Sequence, residues 1–137
     1  MDISTALQDL NWLAVLAAAF STFLIGGLWY SPLLFAKAWM RANKFTEQEM
    51  GNPNMAFIFG LAFVLSFFMA LNLALFIGAG DTAFGATAGF MAGLGWVALA
   101  MGVISLFERR PLSYVLTNGG YMTVAFTVMG AILGGWN

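Results

Sequence analysis

The stretch Thr82–Phe107, TAFGATAGFMAGLGWVALAMGVISLF, decides how the rest of the chain is read. It holds 26 residues and not one Asp, Glu, Lys or Arg. As a helix rising about 1.5 Å per residue it would be about 39 Å long, and roughly 20 apolar residues suffice to cross a bilayer core. Its apolar residues run continuously instead of alternating, so a helix is predicted over a strand of a membrane barrel.

Working outward, three more uncharged runs cover 10–36, 50–80 and 111–137, and the charged residues are confined to Asp2, Asp9, the segment 37–49, Asp81 and Glu108-Arg109-Arg110. Of the 137 residues 61% are hydrophobic and 8% are charged, with a mean hydropathy of +0.87. Soluble domains carry about 25% charged residues, so this surface is made for lipid. The spacing predicts spans over 11–31, 55–78, 83–107 and 113–136, joined by loops 32–54 and 108–112. The fold class is therefore all-α: a polytopic membrane protein whose single domain, 1–137, is a bundle of four transmembrane helices.

Orientation follows from the basic residues. Lys37, Arg41 and Lys44 fall in the first loop and Arg109 and Arg110 in the third, while the opposite side has none. Loops 32–54 and 108–112 are expected to be cytoplasmic, with both termini extracytoplasmic (N-out, C-out) in a bacterial plasma membrane. A cleaved signal peptide would start with a basic segment; here the lead-in carries Asp2 and Asp9, so the first span reads as a retained helix. Trp12 and Trp136 then sit at the outer interface, and Trp29, Tyr30 and Trp39 at the inner one.

Composition also narrows the chemistry. With neither cysteine nor histidine, the chain offers no disulfide, thiolate nucleophile, Cys-His metal site or histidine base. The nine methionines are scattered, a poor pattern for copper. A net charge of −1 gives no basic stripe for nucleic acid. No span holds a deep ionisable side chain, which speaks against a proton-coupled transporter. Gly119-Gly120 lacks the pattern of a phosphate loop, and only Ser31 and Lys37 resemble a serine–lysine pair. No catalytic residue, cofactor or metal is expected, and the chain reads as a non-enzyme.

Locally, Pro32 is predicted to end or kink the first span. Beyond it, Leu34, Phe35 and Trp39 can lie in the headgroup layer while Lys37, Arg41 and Lys44 reach anionic lipid. Thr46-Glu47-Gln48-Glu49 matches a capping box, and Asn52-Pro53-Asn54 reads as the start of the second span. Small residues recur every four positions: Ala14, Ala18, Thr22 and Gly26, then Ala62, Ser66, Ala70, Ala74 and Gly78, then Gly85, Gly89 and Gly93, then Gly130 and Gly134. Such stripes mark close helix contact in lipid, within the bundle or in a homo-oligomer. Asn72 and Asn118 fall at opposite ends of their spans and are read as interhelical hydrogen-bonding residues. Trp96, mid-span, is expected to pack against facing glycines or to wall an apolar pocket. Glu108-Arg109-Arg110-Pro111 is a charged surface turn, or an arginine held by Glu108 and offered to a lipid phosphate.

Several of these segments carry a family resemblance: Asn11-Trp12-Leu13-Ala14-Val15, Gly27-Leu28-Trp29-Tyr30-Ser31-Pro32-Leu33-Leu34-Phe35 with Lys37 and Trp39-Met40, Leu106 to Leu112, Asn118-Gly119-Gly120-Tyr121 and Gly130-Ala131-Ile132-Leu133. In them the chain resembles the bacterial domain-of-unknown-function family 1761. The resemblance implies a small four-helix membrane protein and no activity. The doubled Arg109-Arg110 departs from a single basic residue and leaves open which arginine has the family's role.

The expected function is a homo-oligomeric membrane protein binding lipid or a small apolar molecule. Its candidate binding residues are Trp29, Tyr30, Ser31, Lys37, Trp39, Arg41, Glu108, Arg109, Arg110, Asn118 and Tyr121, and its candidate packing residues are Gly26, Gly85, Gly89, Gly93, Gly130 and Gly134. A small-solute channel and an accessory subunit of a larger membrane complex are the alternatives.

Overall fold

The computed structural model describes residues 2–43 and 54–136. Lys44, the box at Thr46–Glu49 and Pro53 lie outside the described residues. Among the described residues six helices follow one another: α1 (Ile3–Gln8), α2 (Trp12–Trp29), α3 (Ala36–Asn43), α4 (Met55–Ile77), α5 (Thr82–Phe107) and α6 (Leu112–Gly135). No strand occurs among the described residues. The four longer helices, α2, α4, α5 and α6, are each long and apolar enough to cross a membrane.

Side chains suited to the task open the helices. The carboxylates of Asp2 and Asp81 accept from the amides of Ser4 and Phe84, and Asn54 accepts from Phe57. Asn11 does this for Ala14 and also donates through Nδ2 to the Trp136 carbonyl at 2.8 Å. That bond ties the start of α2 to the end of α6. At the other end Trp29 and Tyr30 meet Thr117 and Asn118, so α2 and α6 run antiparallel. Phe23 beside Phe59 and Phe63, with Trp12 beside Phe67, sets α4 antiparallel to α2.

Helix α6 is the central element, packed on α2, α3, α4 and α5. The apolar core lies toward the Asn11–Trp136 end and joins Val15, Ala18 and Ala19 to Ala70, Leu73 and Ile77 and to Phe126, Met129 and Leu133. Between α5 and α6 the backbones touch. A Cβ on Gly85 would strike the Gly130 carbonyl oxygen, one on Gly89 that of Phe126, and one on Gly134 that of Asp81. Gly93 is nearly as tight, its absent Cβ lying 2.9 Å from the Met122 oxygen and from Phe126 Cβ.

One turn of α5 departs from the expected regular helix. Gly93–Ala98 is π-helical, a wider turn that inserts one residue. Gly85, Gly89 and Gly93 face α6 at intervals of four, and five residues beyond Gly93 the Cβ of Ala98 lies 3.1 Å from where a Cβ on Gly119 would stand. The step of five displaces Trp96. Expected to pack on glycines or wall a pocket, Trp96 instead points outward and is 78% exposed.

Candidate functional site: an aromatic and amide latch below a basic rim

The loop that Pro32 forces at the end of α2 is stitched back onto the bundle. Phe35 N–H donates to the Trp29 carbonyl at 2.9 Å and Leu34 N–H to that of Ser31 at 3.0 Å. The Ser31 hydroxyl donates to the Leu28 carbonyl at 2.6 Å, so it serves the helix end; its contact is with backbone and not with Lys37. Phe35 folds over Trp29 with ring centroids 4.6 Å apart, and Trp39 on α3 meets the Tyr30 ring edge-on at 5.9 Å. Phe35 and Trp39 thus face protein, not the headgroup layer alone, and Ala42 at the far end of α3 is 3% exposed.

The receiving surface is Thr117–Tyr121 of α6. Trp29 Nε1–H donates to the Thr117 carbonyl at 2.8 Å, the Tyr30 hydroxyl to Asn118 Oδ1 at 2.6 Å, and the Tyr121 hydroxyl to the Thr22 carbonyl at 2.9 Å. Tyr30 and Tyr121 meet edge-on at 5.4 Å. Both intervening glycines have a spatial reason: a Cβ on Gly119 would crowd Ala98, and one on Gly120 would lie 2.9 Å from the Trp29 ring. Gly26 faces the Tyr121 ring, which a Cβ would meet at 3.4 Å. Deeper in, the Thr22 hydroxyl lies 3.3 Å from that of Ser66. Among the described residues every buried side-chain nitrogen and oxygen has a partner. The aromatics and Asn118 therefore form a latch in which the Trp29, Tyr30 and Tyr121 donors are all engaged inside the bundle.

What the latch leaves outside is charge. Lys37 and Arg41 stand one turn apart on α3, both exposed. The other basic pair divides its duties. Arg110 approaches Glu108 at 3.7 Å and lies over the Tyr114 ring at 5.0 Å. Arg109 occupies the left-handed region with φ of 57°. There it closes α5: its N–H donates to the Leu106 carbonyl at 3.3 Å, and Arg110 N–H to that of Ser105 at 2.9 Å, the pairing of a Schellman ending that usually takes glycine. An Arg109→Gly chain is therefore expected to gain about 0.5–1 kcal/mol of stability, read as a higher melting point in mild detergent. An unchanged or lowered melting point would remove this account of the turn.

The remaining predicted polar residue, Asn72, is exposed and donates only to the Phe68 carbonyl of its own helix at 2.8 Å. At the opposite end from the basic rim, a cleft of about 360 Å³ opens between Asp9, Asn11, Ala14, Leu75, Gly78 and Leu133; nothing in the sequence pointed to it. No group of three acidic side chains converges among the described residues, so no metal-holding set is assembled from them.

Fold and site together define a multi-pass membrane protein with four candidate spans among the described residues, α2, α4 and α5 packed on α6. The chain belongs to the family described as protein of unknown function (DUF1761), whose sequence profile matches residues 13–134. That match takes in the whole latch, from Thr22 to Tyr121. No curated protein and no solved structure matches the chain.

Proposed function

We propose that this chain is a non-enzymatic, homo-oligomeric protein of a bacterial plasma membrane that binds anionic lipid headgroups along a cytoplasmic rim, its termini on the outer side. The observation that carries this reading is the docking of α3. Trp29–Phe35 and Tyr30–Trp39 hold a short basic helix against the bundle, so that Lys37 and Arg41 project from a fixed platform. A cation already held in place loses less freedom on meeting a phosphate than one on a loose loop. Arg109 adds a third exposed cation on the neighbouring turn, and juxtamembrane cations contribute about 1 kcal/mol each toward an anionic surface. Arg110, turned to Glu108 and Tyr114, is support and not ligand.

The test is native mass spectrometry of the protein released from bilayers containing phosphatidylglycerol. Wild type is expected to retain anionic lipid, and Lys37→Ala/Arg41→Ala to lose most of it with its melting point unchanged. Equal lipid on both proteins sinks the proposal.

A second reading draws on the cleft at Asp9. Its apolar floor suits a small apolar molecule, and an Ala14→Phe chain that fills it tests that reading by loss of any co-purified compound. A channel reading draws less support, because Val15, Ala18 and Met129 at the bundle centre are fully buried.

A further inference from the structure

Among the exposed residues of helix α4, which include Phe57, Phe59 and Val64, one seam runs nearly its whole length: Ile58, Leu61, Leu65, Phe68, Asn72 and Phe76. The steps between them are 3, 4, 3, 4 and 4, close to the 3.5-residue period by which two helices wind about each other. The five apolar members are between 44% and 69% exposed. In lipid, exposed leucines and phenylalanines alone say nothing, since acyl chains solvate them as well as a neighbour would. Asn72 breaks that indifference.

Its position follows from helix geometry. It stands five residues before the end of α4 at Ile77. With about 1.5 Å per residue it sits about 9 Å from the middle of the helix, inside a hydrocarbon half-thickness of about 15 Å. One amide N–H donates to the Phe68 carbonyl. The carbonyl oxygen and the second N–H have no partner in the described chain and face outward. Bare amide groups in hydrocarbon are unfavourable unless bonded.

An amide is both donor and acceptor, so it complements another amide at the same depth. Two copies of one chain inserted in the same sense bring their α4 helices together in parallel, which places Asn72 beside Asn72. We infer that two copies pack α4 against α4 in parallel, with their Asn72 amides hydrogen-bonded across the two-fold axis. A single polar residue in an apolar seam is a known way to set register and copy number. Gly85, Gly89, Gly130 and Gly134 contribute nothing to this contact, being taken up by the α5–α6 contact inside the chain. The inference deepens the homo-oligomeric part of the proposed function and is independent of its lipid part.

The chain has no cysteine, so single cysteines introduced along α4 and along the exposed face of α5 can be oxidised in native membranes without background. Disulfide-linked dimer is expected to peak at Leu61→Cys, Leu65→Cys and Phe68→Cys, which keep Asn72, and to vanish at Ala70→Cys and Leu73→Cys, which face the core. Asn72→Leu is expected to weaken association in detergent by about 3- to 30-fold, while Asn72→Gln keeps it. Cross-linking phased on Trp96, Leu99 and Val103 of α5, or an Asn72→Leu chain that associates like wild type, would overturn the inference. A chain monomeric throughout that still carries anionic lipid removes the dimer and spares the lipid reading. A dimer without lipid does the reverse.

Discussion

A Gly130→Ala chain is expected to lose about 3 kcal/mol of stability or more, the upper end of what overpacking a tight site costs. The added methyl would strike the Gly85 carbonyl oxygen, stand 2.8 Å from its carbonyl carbon and 3.2 Å from Gly89 N. Those atoms are backbone, so no side chain can rotate away, and relief requires α5 to withdraw from α6. Withdrawal would in turn loosen Gly85, Gly89 and Gly134, which hold the same contact. The comparison within the molecule is Gly60→Ala and Gly95→Ala, where nothing lies within 4 Å. These are expected to be neutral or stabilising by up to about 1 kcal/mol through helix propensity. Unfolding by detergent titration, followed by circular dichroism, separates the two sets. A Gly130→Ala protein unfolding with wild type would mean that α5 and α6 do not approach as closely as described.

How much of this could be read beforehand divides along a physical line. Charge is excluded from hydrocarbon, so the positions of Asp81, Lys37 and Glu108 mark where membrane spans must end, and four long apolar helices follow. Spacing of glycines signals that close approach is available, but not which helix approaches. Trp96 shows the limit more sharply: its direction depends on one extra residue in a π turn, and Gly93-Leu94-Gly95 carries no signal that would announce it. The latch lies between these cases. Trp29, Tyr30, Asn118 and Tyr121 all stand out in the sequence as rim residues, and Asn118 also as an interhelical hydrogen-bonding residue, which its bond to Tyr30 makes it. Their pairing was not legible, because 88 residues separate Tyr30 from Asn118 and no local pattern records a contact of that range. The division of labour between Arg109 and Arg110 was equally hidden, being set by the left-handed turn at Arg109.

Substitutions at Tyr30 are expected to split the latch into its two functions. Tyr30→Phe keeps the ring against Trp39 and Tyr121 and removes the hydroxyl that donates to Asn118. The cost expected is about 1–2 kcal/mol, because Asn118 Oδ1 is left without its donor in a half-buried site. Combining it with Asn118→Leu should cost less than the sum of the single changes, by about 0.6–1.7 kcal/mol for an interhelical bond in a membrane. Strict additivity would show that the bond at 2.6 Å contributes nothing. Tyr30→Ala goes further and takes away the ring that Trp39 packs on, a loss of about 3 kcal/mol. Only this variant should free α3, seen as faster hydrogen exchange in Ala36–Asn43 while the α5–α6 contact stays protected. With α3 undocked, Lys37 and Arg41 keep their charge and lose their fixed place, so bound anionic lipid should fall although no cation has been removed. If Tyr30→Ala speeds exchange in α3 and lipid retention does not change, the platform is irrelevant to binding and the two cations act as any loose basic loop would.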